Sequence, residues 1–216
     1  MIKEFEKRLI SSIILIPISI FFILKGSVFF IFFLSVLFLA TSYEWLKMNK
    51  KNNLLKLVGI IFLFLSFYAT LEIRENYNLN DFLLIITICI FTDIGGYVFG
   101  NIFKGPKLTR ISPKKTYSGA LGGFLLSLIA GLIFTNYFLI DRKIFNEDLF
   151  LLILILFISM ISQIGDLIIS YFKRKAKLKD TGKIIPGHGG LLDRIDGMIF
   201  TFPVVYLINL TGYLNV

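Results

Sequence analysis

Long apolar runs separated by short polar segments dominate the chain. The seven runs extend over residues 9–24, 27–43, 57–71, 82–99, 119–140, 149–172 and 198–213. A helix rises about 1.5 Å per residue, so roughly 20 apolar residues cross the ~30 Å hydrocarbon core of a bilayer. The pattern therefore predicts an all-α, polytopic integral membrane protein with about seven transmembrane helices. We interpret residues 1–216 as one membrane domain, with N-terminal helices in 1–81 and a second half in 82–216 that carries polar loops at 100–118 and 173–197.

Composition and charge support this interpretation and orient the chain. Hydrophobic residues make up 56% of the sequence, and the mean hydropathy is +0.81. With a cytoplasmic N-terminus, nineteen of the 23 Lys and Arg residues fall in cytoplasmic segments, as the positive-inside rule requires. The net charge of +9 is then explained mainly by topology, and it would also attract anionic lipid headgroups or phosphate substrates. No nucleic-acid partner is expected. Cys89, the only cysteine, lies in an apolar run and is expected to be a small buried hydrophobe.

Two carboxylates lie inside the apolar runs. Asp93 and Asp166 are each six residues from the cytoplasmic end of their run, and an ionisable group at that depth usually faces a cavity or the interior of the bundle. Their equal depth indicates that the two share one polar cavity. On the second of these helices Ser162 and Ser170 continue the polar face toward the basic loop. A helix-packing network remains the alternative for both, and the glycine pair at 95–96 would also serve close helix contact.

The segment 170–196, SYFKRKAKLKDTGKIIPGHGGLLDRID, concentrates polar chemistry between two apolar runs. Its first half supplies cations, which would also suit an ordinary cytoplasmic loop. In its second half, closely spaced glycines at 187, 189 and 190 would let backbone N–H groups approach a phosphate. Asp193 and Asp196, three residues apart, are suited to hold Mg²⁺ beside those cations. The alternative for this pair is helix capping and pairing with Arg194.

His188 and the loop 100–118 complete the candidate chemistry. The chain has one histidine and one cysteine, which disfavours a catalytic zinc site. His188 therefore has either a structural role or a functional one, in which it hydrogen-bonds a phosphate or transfers a proton. The sequence leaves both roles open. In the loop 100–118, Pro113 fixes a turn that would direct Ser112, Lys114, Lys115 and Thr116 toward one anion.

These residues together resemble the phosphatidate cytidylyltransferase family, also called CDP-diacylglycerol synthases. The family pattern near the C-terminus has a serine, a Lys-Arg pair, a Lys-Asp pair and a closing H-G-G-x-x-D-R-x-D. Positions from Phe91 onward match, whereas the earlier helices match only in character; Ile94, Gly96, Asn101 and Ser118 depart from the family's usual residues. The matching residues in the C-terminal segment are Ser170, Lys173, Arg174, Lys179, Asp180, Gly182, Ile185, Pro186, His188, Gly189, Gly190, Leu191, Asp193, Arg194 and Asp196.

The resemblance implies a reaction of CTP with phosphatidate that gives CDP-diacylglycerol and pyrophosphate, in phospholipid biosynthesis. It implies Mg²⁺ and leaves room for a second cation. The expected catalytic residues are Asp166, Asp193, Lys173, Arg174, Lys179, His188 and Arg194; the substrate-binding residues are Ser170, Asp180, Gly189, Gly190, Ser112, Lys114, Lys115 and Thr116; the metal ligands are Asp166, Asp193, Asp196 and Asp93. A CTP-dependent lipid-alcohol kinase and a non-enzymatic membrane transporter remain alternatives.

The resemblance also implies a setting for this chemistry. We expect a bacterial inner membrane, an active site that faces the cytoplasm, membrane lipids as neighbours and a homodimer. The chain is short beside the family as a whole, and the expected difference lies in N-terminal helices.

Overall fold

The computed structural model describes residues 2–109, 111–138 and 148–211. Over these residues the chain forms eight helices and no extended strand. They are α1 (Ile2–Lys25), α2 (Ser27–Met48), α3 (Asn53–Asn76), α4 (Leu79–Phe103), α5 (Tyr117–Phe138), α6 (Asp148–Lys175), α7 (Leu192–Ile195) and α8 (Met198–Leu210). The predicted all-α class is confirmed.

The helices α1 to α6 are long and apolar enough to cross a membrane. They coincide with the first six predicted runs, so the chain is a polytopic integral membrane protein. The seventh run forms α8, which has 13 residues and is therefore about 20 Å long, shorter than a bilayer core. The last residues of the fifth run, 139–140, and of the seventh, 212–213, lie outside the described residues.

Several helices extend beyond their apolar runs into polar sequence. The helix α2 continues to Met48, five residues past the end of its predicted run at residue 43. Packing supports this extra turn: Trp45 is buried and its indole Nε1 donates to the carbonyl of Leu55 at 3.0 Å. The extension places Glu44 inside the helix and directs its side chain into the protein.

Glycines bring α4 and α5 into backbone contact. A Cβ atom at Gly95 of α4 would lie 2.3 Å from the carbonyl oxygen of Gly122 in α5, and one at Gly122 would lie 2.3 Å from Phe99. Only a residue without a side chain fits at such a crossing. Close helix contact, the structural alternative raised for the glycines after Asp93, is therefore what Gly95 provides.

The helices α6 and α8 meet in the same way and form the centre of the bundle. A Cβ atom at Gly197 would lie 2.3 Å from Ser162 Oγ of α6, and the buried Ser66 of α3 donates to the carbonyl of Ile199 at 2.6 Å. Buried aromatic and aliphatic side chains fill the neighbouring interior, among them Phe82, Ile88 and Ile155. Many apolar residues of α1, by contrast, are exposed, as expected for a helix that faces hydrocarbon.

Candidate active site

Three aspartates converge where α4, α6 and the junction between α7 and α8 come together. Asp93 lies on α4, Asp166 on α6, and Asp196 follows α7 directly. The approach is close because Gly165 has no side chain: a Cβ atom there would lie 2.8 Å from the carbonyl oxygen of Asp196. Asp196 is 6% exposed, and burial, followed by the negative charges of Asp166 and Asp93, raises the pKa of its carboxyl well above the usual range. The cluster concentrates negative charge that a bound cation would neutralise.

Cations and a hydroxyl surround this carboxylate cluster. Lys115 forms an ion pair with Asp166 through Oδ2, and Ser170 Oγ, one turn along α6, donates to Asp166 Oδ1 at 3.3 Å. Lys115 and Arg194 both lie within electrostatic range of Asp93. The loop 100–118 therefore reaches the carboxylates through Lys115, and the segment 170–196 reaches them through Arg194.

Asp193 faces a different set of partners. Its Oδ1 accepts from Lys173 Nζ at 2.7 Å, and its Oδ2 accepts from the backbone N–H groups of Thr181 and Gly190 at 2.8 and 3.2 Å. The Thr181 hydroxyl also lies 3.1 Å from Oδ2. The two oxygens of Asp193 thus hold Lys173 and the loop between α6 and α7 in place. The N–H of Gly190 donates to Asp193. Gly189 adopts φ +90°, a conformation that favours glycine, and its carbonyl accepts from Ile185 at 3.1 Å.

Glu44 of α2, which sequence reasoning missed, holds the same loop from the other side. It is 1% exposed. Its carboxylate accepts from the N–H of Leu191 at 3.0 Å, the N–H of Leu192 at 2.9 Å and the Thr181 hydroxyl at 2.9 Å. The Thr181 hydroxyl therefore lies between two carboxylates, Glu44 and Asp193. A signal existed in the sequence, because Glu44 is an acidic residue next to an apolar run, but the run was drawn to end one residue earlier.

His188 is held by the beginning of α1. Its Nδ1 lies 2.8 Å from Ser11 Oγ and its Nε2 lies 3.4 Å from Ser12 Oγ, while Arg8 Nε donates to the carbonyl of Gly187 at 2.8 Å. Partial burial, followed by the positive charges of Arg194 and Arg8, lowers the pKa of the imidazole. These contacts favour a neutral imidazole that fixes the position of the loop. They support the structural role, one of the two roles left open for His188 by the sequence.

The remaining phosphate-binding candidates lie around the loop ends. Arg174 is exposed and its Nη1 donates to the carbonyl of Leu178 at 3.1 Å; Lys179 and Asp180 line an open concavity. Near the other loop, Lys114 is exposed and Thr116 accepts from the N–H of Gly119 at 3.0 Å, which caps the start of α5. The carbonyl of Ser112 accepts from the N–H of Lys115 at 3.0 Å, which closes the turn that presents Lys115 to Asp166.

Comparison with known proteins places this arrangement in a family. The sequence profile of the cytidylyltransferase family matches residues 53–211, more than half of the chain. The chain belongs to the cytidylyltransferase family. The resemblance drawn from the C-terminal motif is thereby confirmed.

Individual relatives extend the match across nearly the whole chain. Phosphatidate cytidylyltransferase from Rickettsia bellii is 36% identical over 207 residues, which cover 94% of this chain and 89% of the relative. The protein of that name from Rickettsia typhi is 37% identical over 211 residues, or 94% and 91%. The one from Staphylococcus haemolyticus is 40% identical over 153 residues, or 70% and 55%. Similarity therefore reaches beyond residues 91–216 into the N-terminal helices. Two of these, α1 and α2, also contact the loop between α6 and α7.

The carboxylate oxygens of the cluster are ligands that suit a hard cation. Within the part of the chain that the structure describes, no group of three or more His, Cys, Asp and Glu side chains is arranged to hold a metal ion by itself. Magnesium, however, usually takes one or two carboxylates and completes its shell with water and substrate phosphates. Asp166 and the buried Asp196, in mutual contact, provide such a pair of oxygen ligands, so these residues fit Mg²⁺.

Proposed function

We propose that this protein transfers CMP from CTP to phosphatidate and so forms CDP-diacylglycerol and pyrophosphate. The observation that carries the proposal is the convergence of the family-motif residues on one polar cluster within an apolar bundle. Asp166 and Asp196 lie beside Lys115 and Arg194 there, and Asp166 belongs to α6, a helix long enough to span a bilayer. The names of the relatives support the same substrates.

The reaction is an in-line displacement at phosphorus that uses no protein nucleophile. A phosphate oxygen of phosphatidate bonds to the α-phosphorus of CTP, the bond from that phosphorus to the bridging oxygen breaks, and pyrophosphate departs with the electron pair. Catalysis by such a site consists of positioning two anionic reactants and neutralising their charge. Lys115 and Arg194 are placed beside the carboxylates for this purpose, and Lys173 is placed by Asp193.

We assign Mg²⁺ to Asp166 and Asp196, with Asp93 as a further ligand. Bound there, the ion would neutralise charge on the reacting phosphates. Asp193, expected from the sequence as a ligand, is instead assigned to hold the loop, because two of its hydrogen bonds come from the backbone N–H groups of Thr181 and Gly190. The contacts of Asp166 described above come from the side chains of Lys115 and Ser170, which can turn away when a cation binds. A second cation remains part of the proposal.

The fold supports a proposal for the placement of the lipid. The acyl chains of phosphatidate would remain in the bilayer while its phosphate reaches carboxylates that lie between spanning helices. We place the site on the cytoplasmic face of a bacterial cell membrane, supported by the distribution of Lys and Arg, and we retain the homodimer as an expectation that size-exclusion with light scattering would test.

One labelling experiment separates the proposed activity from its alternatives. Purified protein receives phosphatidate or a polyprenol, Mg²⁺, and CTP labelled in either the cytidine or the γ-phosphate. Transfer of the cytidine label to phosphatidate with release of pyrophosphate is expected. Transfer of the γ-label to the polyprenol would instead identify a kinase, and no transfer of either label would leave the transporter. Asp166→Asn is expected to abolish transfer while the protein remains inserted and folded, and near-normal turnover by this variant would refute the metal assignment.

A further inference from the structure

The open concavity that Lys179 and Asp180 line, which we call the basic basin, lies where α1 begins, α2 turns into α3 and α6 ends. It has a volume of about 1430 Å³. Among the lining residues that the structure describes, Asp180 is the one carboxylate, and the cations are Lys7, Arg8, Lys47, Lys50, Lys51, Lys175, Lys177, Lys179 and Lys183. Segments far apart in sequence therefore bring nine cationic side chains to one hollow.

Topology alone does not account for this convergence. The positive-inside rule explains why Lys and Arg are numerous on one side of a membrane, but it does not require them to surround a single hollow. Cations held within the ~8 Å screening length repel one another, and a concave surface focuses their field. An anion with several charges would relieve this repulsion. The cations of the basin are exposed and thus accessible to such a ligand.

The basic basin adjoins the carboxylate cluster without including it. Asp93, Asp166 and Asp196 are not among the residues that line it, whereas Thr181, Gly182 and Gly189 are. These three belong to the loop that Glu44 and Asp193 hold. A ligand in the basin would therefore touch the outer side of the loop whose inner contacts position Lys173.

We infer that the basic basin is an accessory binding site for phosphate groups. Lysine ammonium groups bind phosphate as point charges without demanding one orientation, which suits a wide hollow lined mainly by lysines. Two sources share this chemistry: the headgroup of an anionic phospholipid, since the basin lies at the ends of spanning helices, and a free polyphosphate. The inference concerns a hollow apart from the carboxylate cluster, and its lining includes three residues that the resemblance assigned to catalysis or substrate binding: Lys179, Asp180 and Gly189.

The test measures binding of two probes without CTP or phosphatidate. Wild-type protein and Lys50→Gln/Lys51→Gln are placed in phosphatidylcholine nanodiscs. Inorganic tripolyphosphate is titrated by calorimetry, and bound phosphatidylglycerol is counted by native mass spectrometry after its addition to the nanodiscs. We expect the double variant to bind at least one probe tenfold more weakly or worse, on the basis of roughly fivefold per basic residue removed. The probe that is affected identifies the source of the phosphate.

Lys104→Gln/Lys107→Gln is the matched control. It removes the same charge from exposed positions between α4 and α5, outside the basin. Isolated exposed charges contribute little to an interaction, so we expect this variant to bind both probes within about twofold of wild type. Equal binding by wild type and the basin variant would overturn the inference, as would an equal loss in the control. Because the measurement involves no turnover, either result leaves the proposed transfer reaction to its own assay.

Discussion

Replacement of Glu44 would show how much of the site depends on α2. The carboxylate accepts hydrogen bonds from two backbone N–H groups and one hydroxyl, all at 2.9–3.0 Å. A hydrogen bond to a charged group contributes about 1.5–3 kcal/mol. Glu44→Gln keeps one oxygen but turns an NH₂ group toward at least one donor, so we expect a loss of roughly 2 kcal/mol. Glu44→Ala removes both acceptor oxygens, and with them all three hydrogen bonds, and leaves a cavity, for which we expect about 4 kcal/mol or more.

The sole cysteine provides the readout. Cys89 is 1% exposed, so a fluorogenic thiol reagent reacts only as the bundle opens, and its signal against temperature reports unfolding in detergent. The expected order of unfolding temperatures is wild type, then Glu44→Gln, then Glu44→Ala. Glu72→Gln is the control: Glu72 accepts from Asn76 at 2.6 Å and also lies beside Tyr68, each four residues away on α3, and helical pairs of this spacing contribute only about 0.2–0.5 kcal/mol each.

Activity completes the test, because the loop also donates hydrogen bonds to Asp193, whose partner is Lys173. We expect the rate of CDP-diacylglycerol formation by Glu44→Gln to fall below that of Glu72→Gln at a temperature where both are folded. Equal unfolding temperatures for these two variants would refute the hydrogen-bond argument. Lower stability with an unchanged rate would instead show that Glu44 stabilises the fold without positioning the site.

Three further predictions concern the site and its support. Lys115→Met is expected to lower the turnover rate roughly hundredfold, as removal of a charge-stabilising group commonly does, with little change in unfolding temperature; a normal rate would exclude Lys115 from the site. Because the folded-state pKa of His188 is lowered, the folded protein disfavours its protonation, so stability from this group is present above about pH 6.5 and is lost as the pH falls through that value toward the folded pKa. Circular dichroism melts at pH 7.5 and 5.5 should show this loss in wild type and a smaller loss in His188→Gln; equal losses would contradict it. Gly95→Ala should lower the unfolding temperature because its Cβ would lie 2.3 Å from the Gly122 carbonyl oxygen, whereas Gly96→Ala, whose nearest contact is 3.9 Å, should not.

The sequence predicted those features that repeat at short range. Apolar periodicity located the helices, and helical spacing placed Asp166 and Ser170 on one face, where the structure shows them hydrogen-bonded at 3.3 Å. Burial of Cys89 followed from its apolar surroundings and is confirmed. Helix ends were less predictable, because polar residues such as Glu44 continue a helix when tertiary packing supports them.

Partners across long stretches of chain were beyond this reasoning. Lys115 and Asp166 are 51 positions apart, and Glu44 and Leu191 are 147 apart. No local pattern states which carboxylate will meet which donor, because the choice depends on how α2, α5 and α6 pack. For the same reason the sequence predicted Asp193 as a metal ligand and did not indicate its contacts with Lys173, Thr181 and Gly190.

These long-range contacts explain why a site formed largely by the last hundred residues needs the helices that precede them. The loop between α6 and α7 contains neither helix nor strand of its own, so its conformation depends on outside partners. Glu44 contacts it at Thr181, Leu191 and Leu192, while Ser11 contacts it at His188. Loss of either support would leave the loop, which donates to Asp193 at Thr181 and Gly190, with fewer fixed points, and would loosen the contact between Asp193 and Lys173. Neither α1 nor α2 touches the carboxylate cluster through these contacts. The N-terminal helices thus act on the proposed chemistry by holding the loop, which predicts that substitutions at Ser11 or Glu44 reduce turnover more than they change the affinity for Mg²⁺.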